Sequence, residues 1–143
     1  MNRSSIPGFV FIVCGVFLVL LPQFLLPVCQ GMVSTGSGGG IPMKCFWTAR
    51  AEIGAGALVA LGGLLFCVSR DTGVRSGIAA MTAGAALLAI ALPTVLIGVC
   101  VTETMPCHMG TQPALVLVGI VVLLVALIVC RSLFHVIKEK ERE

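Results

Sequence analysis

Charged side chains are absent from residues 6–28, 53–68, 77–99 and 114–129, and between these runs lie short segments rich in Gly, Pro, Thr and charge. A helix crosses a hydrocarbon core with about 20 apolar residues. The run 53–68 reaches that length only if its helix starts near Thr48 and carries Ala49 to Glu52 through the interface. The last run continues with more amphipathic character to Ile137. These patterns predict an all-α integral membrane protein, a four-transmembrane-helix bundle with spans at about 6–28, 48–69, 76–99 and 112–134. The first run follows Arg3 but is long for a signal peptide, contains Pro22 and Pro27, and has no small-x-small site before Cys29, so it reads as an uncleaved span.

The ends of spans one and three are written alike. Leu21-Pro-Gln-Phe-Leu-Leu-Pro-Val-Cys29 and Leu92-Pro-Thr-Val-Leu-Ile-Gly-Val-Cys100 agree at five of nine positions. Each is followed by a Met-x-Cys, Met43-Lys-Cys45 and Met105-Pro-Cys107, and then by a threonine. From Thr48 and Thr111 onward the register is constant at 63 residues, pairing Ala51 with Ala114, Gly56 with Gly119 and Cys67 with Cys130. The chain thus reads as one membrane domain, 1–143, made of two parallel helix-loop-helix repeats, about 6–70 and 76–137, related by a pseudo-twofold axis along the membrane normal. Pro22 and Pro93 are expected to kink helices one and three, because proline lacks an N–H and its ring clashes one turn back. Thr48 and Thr111 are expected to cap helices two and four, with Glu52 and Pro113 in their first turns. The abundance of Gly and Ala in spans two and three predicts that this pair forms the tight centre of the bundle.

Composition agrees with a lipid solvent: hydrophobic residues are 58% of the chain and charged residues 10%. The small net charge of +3 hides a strong asymmetry. Arg3, Arg70, Arg75, Arg131, Lys138, Lys140 and Arg142 fall on one side of a four-span arrangement, and Lys44 and Arg50 on the other. The positive-inside rule then puts both termini in the cytoplasm and both Cys/Met loops outside a multi-pass cell-membrane protein. Glu52, read at a helix end, leaves no ionisable group in the middle of any span, which disfavours a proton-coupled pump. No outward basic patch or aromatic platform suggests nucleic acid.

The stretch Thr104-Met-Pro-Cys-His-Met-Gly-Thr111 holds the densest candidate chemistry. Outside the cytosol, Cys29, Cys45, Cys100 and Cys107 are expected to pair, and repeat symmetry favours Cys29 with Cys45 and Cys100 with Cys107. The alternative is a soft-metal site: Met43, Cys45, Met105, Cys107, His108 and Met109 together offer the thioether, thiolate and imidazole groups that select Cu(I). A third reading is a quinone-linked thiol-disulfide oxidoreductase, against which stands the absence of a Cys-x-x-Cys. No nucleophile has a partner at catalytic spacing, so the balance leans away from an enzyme. No cofactor is expected apart from the copper of the alternative reading.

Through Met43-Lys-Cys-Phe-Trp-Thr-Ala-Arg-Ala-Glu-Ile-Gly54, Leu96-Ile-Gly-Val-Cys100 and Met105-Pro-Cys-His108, the chain resembles an uncharacterised family of small four-span prokaryotic membrane proteins known as a domain of unknown function. The resemblance implies a four-helix integral membrane fold with no established activity. It further implies an accessory or scaffold subunit beside an ABC-type permease, in a metal-related setting; the partner expected of the chain is thus another membrane protein, with a homo-oligomer as the alternative. Phe46 stands where many relatives are expected to carry histidine, which leaves His108 alone.

Overall fold

The computed structural model describes residues 5–25, 32–34, 40–42, 44–99, 107–140 and 142, with backbone alone for 32–34, 40–42, Cys107 and Lys140. Each apolar run becomes a helix because in lipid a chain must satisfy its own backbone hydrogen bonds. Helix α1, Ile6–Leu20, has Pro7 in its first turn and runs into a wide turn of π geometry at Leu21–Leu25. Strands β1, Met32–Ser34, and β2, Gly40–Pro42, form a small antiparallel pair with Val33 opposite Ile41. Helix α2 is Lys44–Val68. Helix α3, Thr72–Ala91, ends in a second wide turn at Leu92–Leu96. A third wide turn, Cys107–Thr111, leads into α4, Gln112–Lys140.

Among the described residues four segments are long and apolar enough to cross a membrane: Ile6–Leu25, Lys44–Val68, Thr72–Leu96 and His108–Glu139. The protein is a four-helix membrane bundle. Two starts differ from expectation. Helix α2 begins at Lys44, a full turn before Thr48, and α3 begins at Thr72, where the Asp71 carboxylate accepts the Val74 N–H at 3.0 Å as an N-cap. The link from α2 to α3 is therefore only residues 69–71.

The helices pack in a ring, α1 on α2, α2 on α3, α3 on α4 and α4 on α1, which leaves α2 and α4 on a diagonal. Buried positions recur every three or four residues: Gly8, Phe11, Gly15 and Leu18 on α1; Ala55, Val59, Gly63 and Phe66 on α2; Ala79, Ala83, Ala86 and Ala89 on α3; Leu115, Gly119, Val122 and Ala126 on α4. One face of each helix thus makes the core. The opposite faces present Phe24, Met81 and Val95 at 79%, 78% and 84% exposure, an apolar girdle that suits a membrane interior rather than water. At the Arg70 end, Phe66 meets Phe11 edge-to-face at 6.1 Å and lies under the Arg75 guanidinium at 4.2 Å.

The tight centre is α1 with α2, not α2 with α3. A Cβ on Gly15 would lie 2.5 Å from the Ala60 nitrogen and 2.7 Å from the Gly56 carbonyl oxygen, and one on Gly63 would lie 2.6 Å from the Gly8 carbonyl oxygen. Gly54, Gly77 and Gly84 have nothing within 4 Å of such an atom. The number of small residues in a span does not reveal which face they occupy. Gly15→Val should therefore destabilise the bundle by about 1–3 kcal/mol or more by forcing α1 from α2, while Gly84→Ala should leave stability equal or slightly raised. Thermal unfolding in detergent reads both; equal losses would contradict this packing.

Candidate functional site

The Leu-Pro end of the bundle departs from regular helix. Pro93 has no N–H to donate, so α3 widens there, and the Leu92 carbonyl accepts the N–H groups of both Ile97 and Gly98 at 3.1 Å. Gly98 has φ +76°, a conformation that glycine adopts without a Cβ penalty. Side chains then stitch the opened backbone. Thr94 donates to the Ile90 carbonyl at 2.7 Å, Thr48 of α2 donates to the Gly98 carbonyl at 2.6 Å, and Gln112 of α4 donates from Nε2 to the Pro93 carbonyl at 3.3 Å. Two neighbouring helices thus hold the end of α3. Pro22 and Pro93 are both buried, each as the second residue of its wide turn.

Thr48 is not a cap. It lies in the second turn of α2, 3% exposed, and its hydroxyl also approaches the Lys44 carbonyl at 3.3 Å. Thr111, 2% exposed, closes the wide turn Cys107–Thr111, so helical geometry already runs through it and it does not start α4. Both threonines face the interior. The earlier start of α2 also moves Glu52, which lies in the third turn rather than the first.

Glu52 is fully buried at 0% exposure, on the same face as Cys45, Thr48, Ala55 and Val59. Among the described residues neither carboxylate oxygen has a hydrogen-bond partner. A span therefore does hold an ionisable group in its interior, contrary to the sequence reading. The 63-residue register of the sequence pairs Glu52 with Leu115, which is also fully buried, on the diagonal helix. At these two register-equivalent positions one helix carries a carboxyl and the other an aliphatic chain.

The soft-metal and cysteine candidates divide differently. Cys45 is fully buried in the first turn of α2, His108 is half-buried with Nδ1 enclosed and without a partner, and Met109 is 73% exposed. Cys45 and Met109 thus differ sharply in environment. Cys29, Met43, Cys100 and Met105 lie outside the described residues, as does the Cys107 side chain. Among the described residues no three His, Cys, Asp or Glu side chains are grouped as a metal site.

A family model described as Domain of unknown function (DUF4418) matches residues 11–132. The chain belongs to the DUF4418 family. The match takes in all of the wide turns, Glu52 and both Cys/Met loops. No curated protein and no solved structure matches.

In this DUF4418 chain the Thr48 to Gly98 bond is the shortest of the cross-helix stitches. Thr48→Val keeps the shape but strands the Gly98 carbonyl, and should lower unfolding stability by about 1–3 kcal/mol. Thr48→Ser should recover most of that loss in the same thermal assay. Equal behaviour of the two variants would show that the hydroxyl bond is not what holds the turn.

Proposed function

We propose that this protein is an accessory or scaffold subunit of a membrane transport complex, and that it docks on its partner through a groove between α2 and α3. The observation that carries this reading is the groove, about 730 Å³ and open to the lipid side, lined by Leu58, Leu61, Leu65, Gly77, Met81 and Gly84. Two bare glycines on α3, with nothing within 4 Å, allow the backbone of an incoming helix to approach closely, which is how helices associate in a solvent as apolar as themselves. The partner is an apolar transmembrane helix of another protein. An ABC-type permease is the candidate that the sequence resemblance supplies.

The seven-to-two distribution of Lys and Arg supports cytoplasmic termini and an extracytoplasmic Leu-Pro end in the cell membrane. In that compartment the proposed pairs Cys29 with Cys45 and Cys100 with Cys107 would pin each loop to its own hairpin. The soft-metal alternative needs the same sulfurs as thiolates, so oxidation state separates the two. Peptide mapping of protein isolated without reductant is expected to find Cys100 linked to Cys107. Near-stoichiometric copper, lost on Cys107→Ser, would instead favour metal binding.

Photo-crosslinkers placed at Met81 or Gly84 in native membranes should capture a transmembrane segment of one partner protein. Gly84→Leu should abolish its co-purification without lowering the unfolding temperature, because a Cβ at this position has nothing within 4 Å and the rest of the side chain extends into the open groove. Capture of lipid alone would overturn the docking reading. In a cysteine-depleted background, an impermeant thiol reagent should reach cysteines introduced at Ser37 or Thr102 from outside, and at Thr72 only after permeabilisation; the reverse would overturn the orientation.

A further inference from the structure

Glu52 sits eight residues into a 25-residue span, roughly 12 Å along the helix axis from Lys44. Its side chain is fully enclosed, and no donor among the described residues reaches either oxygen. Among the described residues no cation is paired with it. On its own helix Lys44 and Arg50 are exposed, and Arg50 lies over the Phe46 ring at 5.3 Å instead. Arg75, the half-buried cation of α3, is at the opposite end beneath which Phe66 packs. The neighbouring wide turns at Leu21–Leu25 and Leu92–Leu96 carry no titratable residue. Of the titratable groups at this end, Cys45 lies two turns further out on α2 and His108 two turns before Leu115 on α4.

A carboxylate with no countercharge is disfavoured in such surroundings, and intramembrane carboxyls that persist there are matched by a partner or a bound ion. Replacement by an apolar group is compatible with this fold, as the buried Leu115 shows at the corresponding place in the second copy. Glu52 is therefore not needed to fill space. The adjacent Thr48 adds a second group suited to a cation. Its proton is committed to the Gly98 carbonyl, and this leaves its oxygen lone pairs as acceptors one turn from Glu52 on the same face.

We propose that Glu52 anchors a small-cation site in the bundle interior, where the countercharge is a proton or a dehydrated monovalent metal ion held with the Thr48 hydroxyl oxygen. The chemistry required is the same for both: one positive charge, small enough for a closed interior, supplied by solvent rather than by the chain. The site couples to backbone geometry, because Thr48 is also the latch on the wide turn of α3. Occupancy of Glu52 thus adjusts the Leu-Pro end. This inference does not depend on the accessory-subunit reading.

The test is infrared difference spectroscopy on the full chain in lipid nanodiscs, in choline chloride and then in sodium, potassium or lithium chloride, and across pH. Glu52→Gln assigns the signal, and Glu52→Leu, which copies Leu115, serves if the first variant misfolds. The expected result in choline is a carboxylic-acid carbonyl band that either variant removes. Its conversion to a carboxylate band on adding a metal chloride identifies a metal-ion site, with Thr48→Val weakening the response. Conversion only on raising pH identifies a proton site. A Glu52 carboxylate band already present in choline and unmoved by salt or pH would overturn the proposal, since the charge would then be met by a fixed partner.

Discussion

Backbone groups in a bilayer have no water to turn to, and the wide turn after Leu92 is where this chain meets that constraint most sharply. Proline at position 93 removes one donor, and the chain answers with a doubly used Leu92 carbonyl and three side-chain donors. Two of those donors come from other helices. The bend in α3 is thus a tertiary feature, held by α2 through Thr48 and by α4 through Gln112. Without them the carbonyls of Gly98 and Pro93 would lose their cross-helix partners at the end of a membrane span.

The rest of the bundle is arranged around this end. Close backbone contact at Gly8, Gly15, Gly56 and Gly63 welds α1 to α2, and that contact fixes the rotation of α2. The rotation in turn sends Thr48 and Glu52 to the interior and leaves Leu58, Leu61 and Leu65 facing outward. The interior stripe thereby carries polar groups at one end, while the outer face remains apolar and, on α3, bare of side chains at Gly77 and Gly84. A single helix rotation accounts for both the buried carboxyl and the outer apolar groove.

The four spans were legible in the sequence because lipid-facing helices need no alternation of polar residues and show as uncharged runs. The Leu-Pro repeats were legible too, since proline has few ways to sit in a membrane helix. What sequence reading missed was the start of α2. Thr48 followed by Glu52 looks like a helix beginning, yet Lys44 to Trp47 already form its first turn. The signal was present in Cys45, Thr48, Glu52, Ala55 and Val59, which share one face once the helix is extended backward. The tight helix pair was missed for a different reason: glycines that touch a neighbour and glycines that touch nothing look the same in a sequence. The Cys and Met chemistry stays where spacing left it, because four of its residues fall outside the described chain.

Hydrogen–deuterium exchange at the amides of Ile97 and Gly98 tests the central claim most directly, that a hydroxyl on α2 holds the opened end of α3. Both amides donate to Leu92 and should exchange slowly in the wild-type chain in nanodiscs, with Thr48→Val exposing them to rapid exchange while amides in the middle of α3 stay protected. Unchanged protection at Ile97 and Gly98 in Thr48→Val would contradict the account, because the turn would then hold its geometry without help from α2.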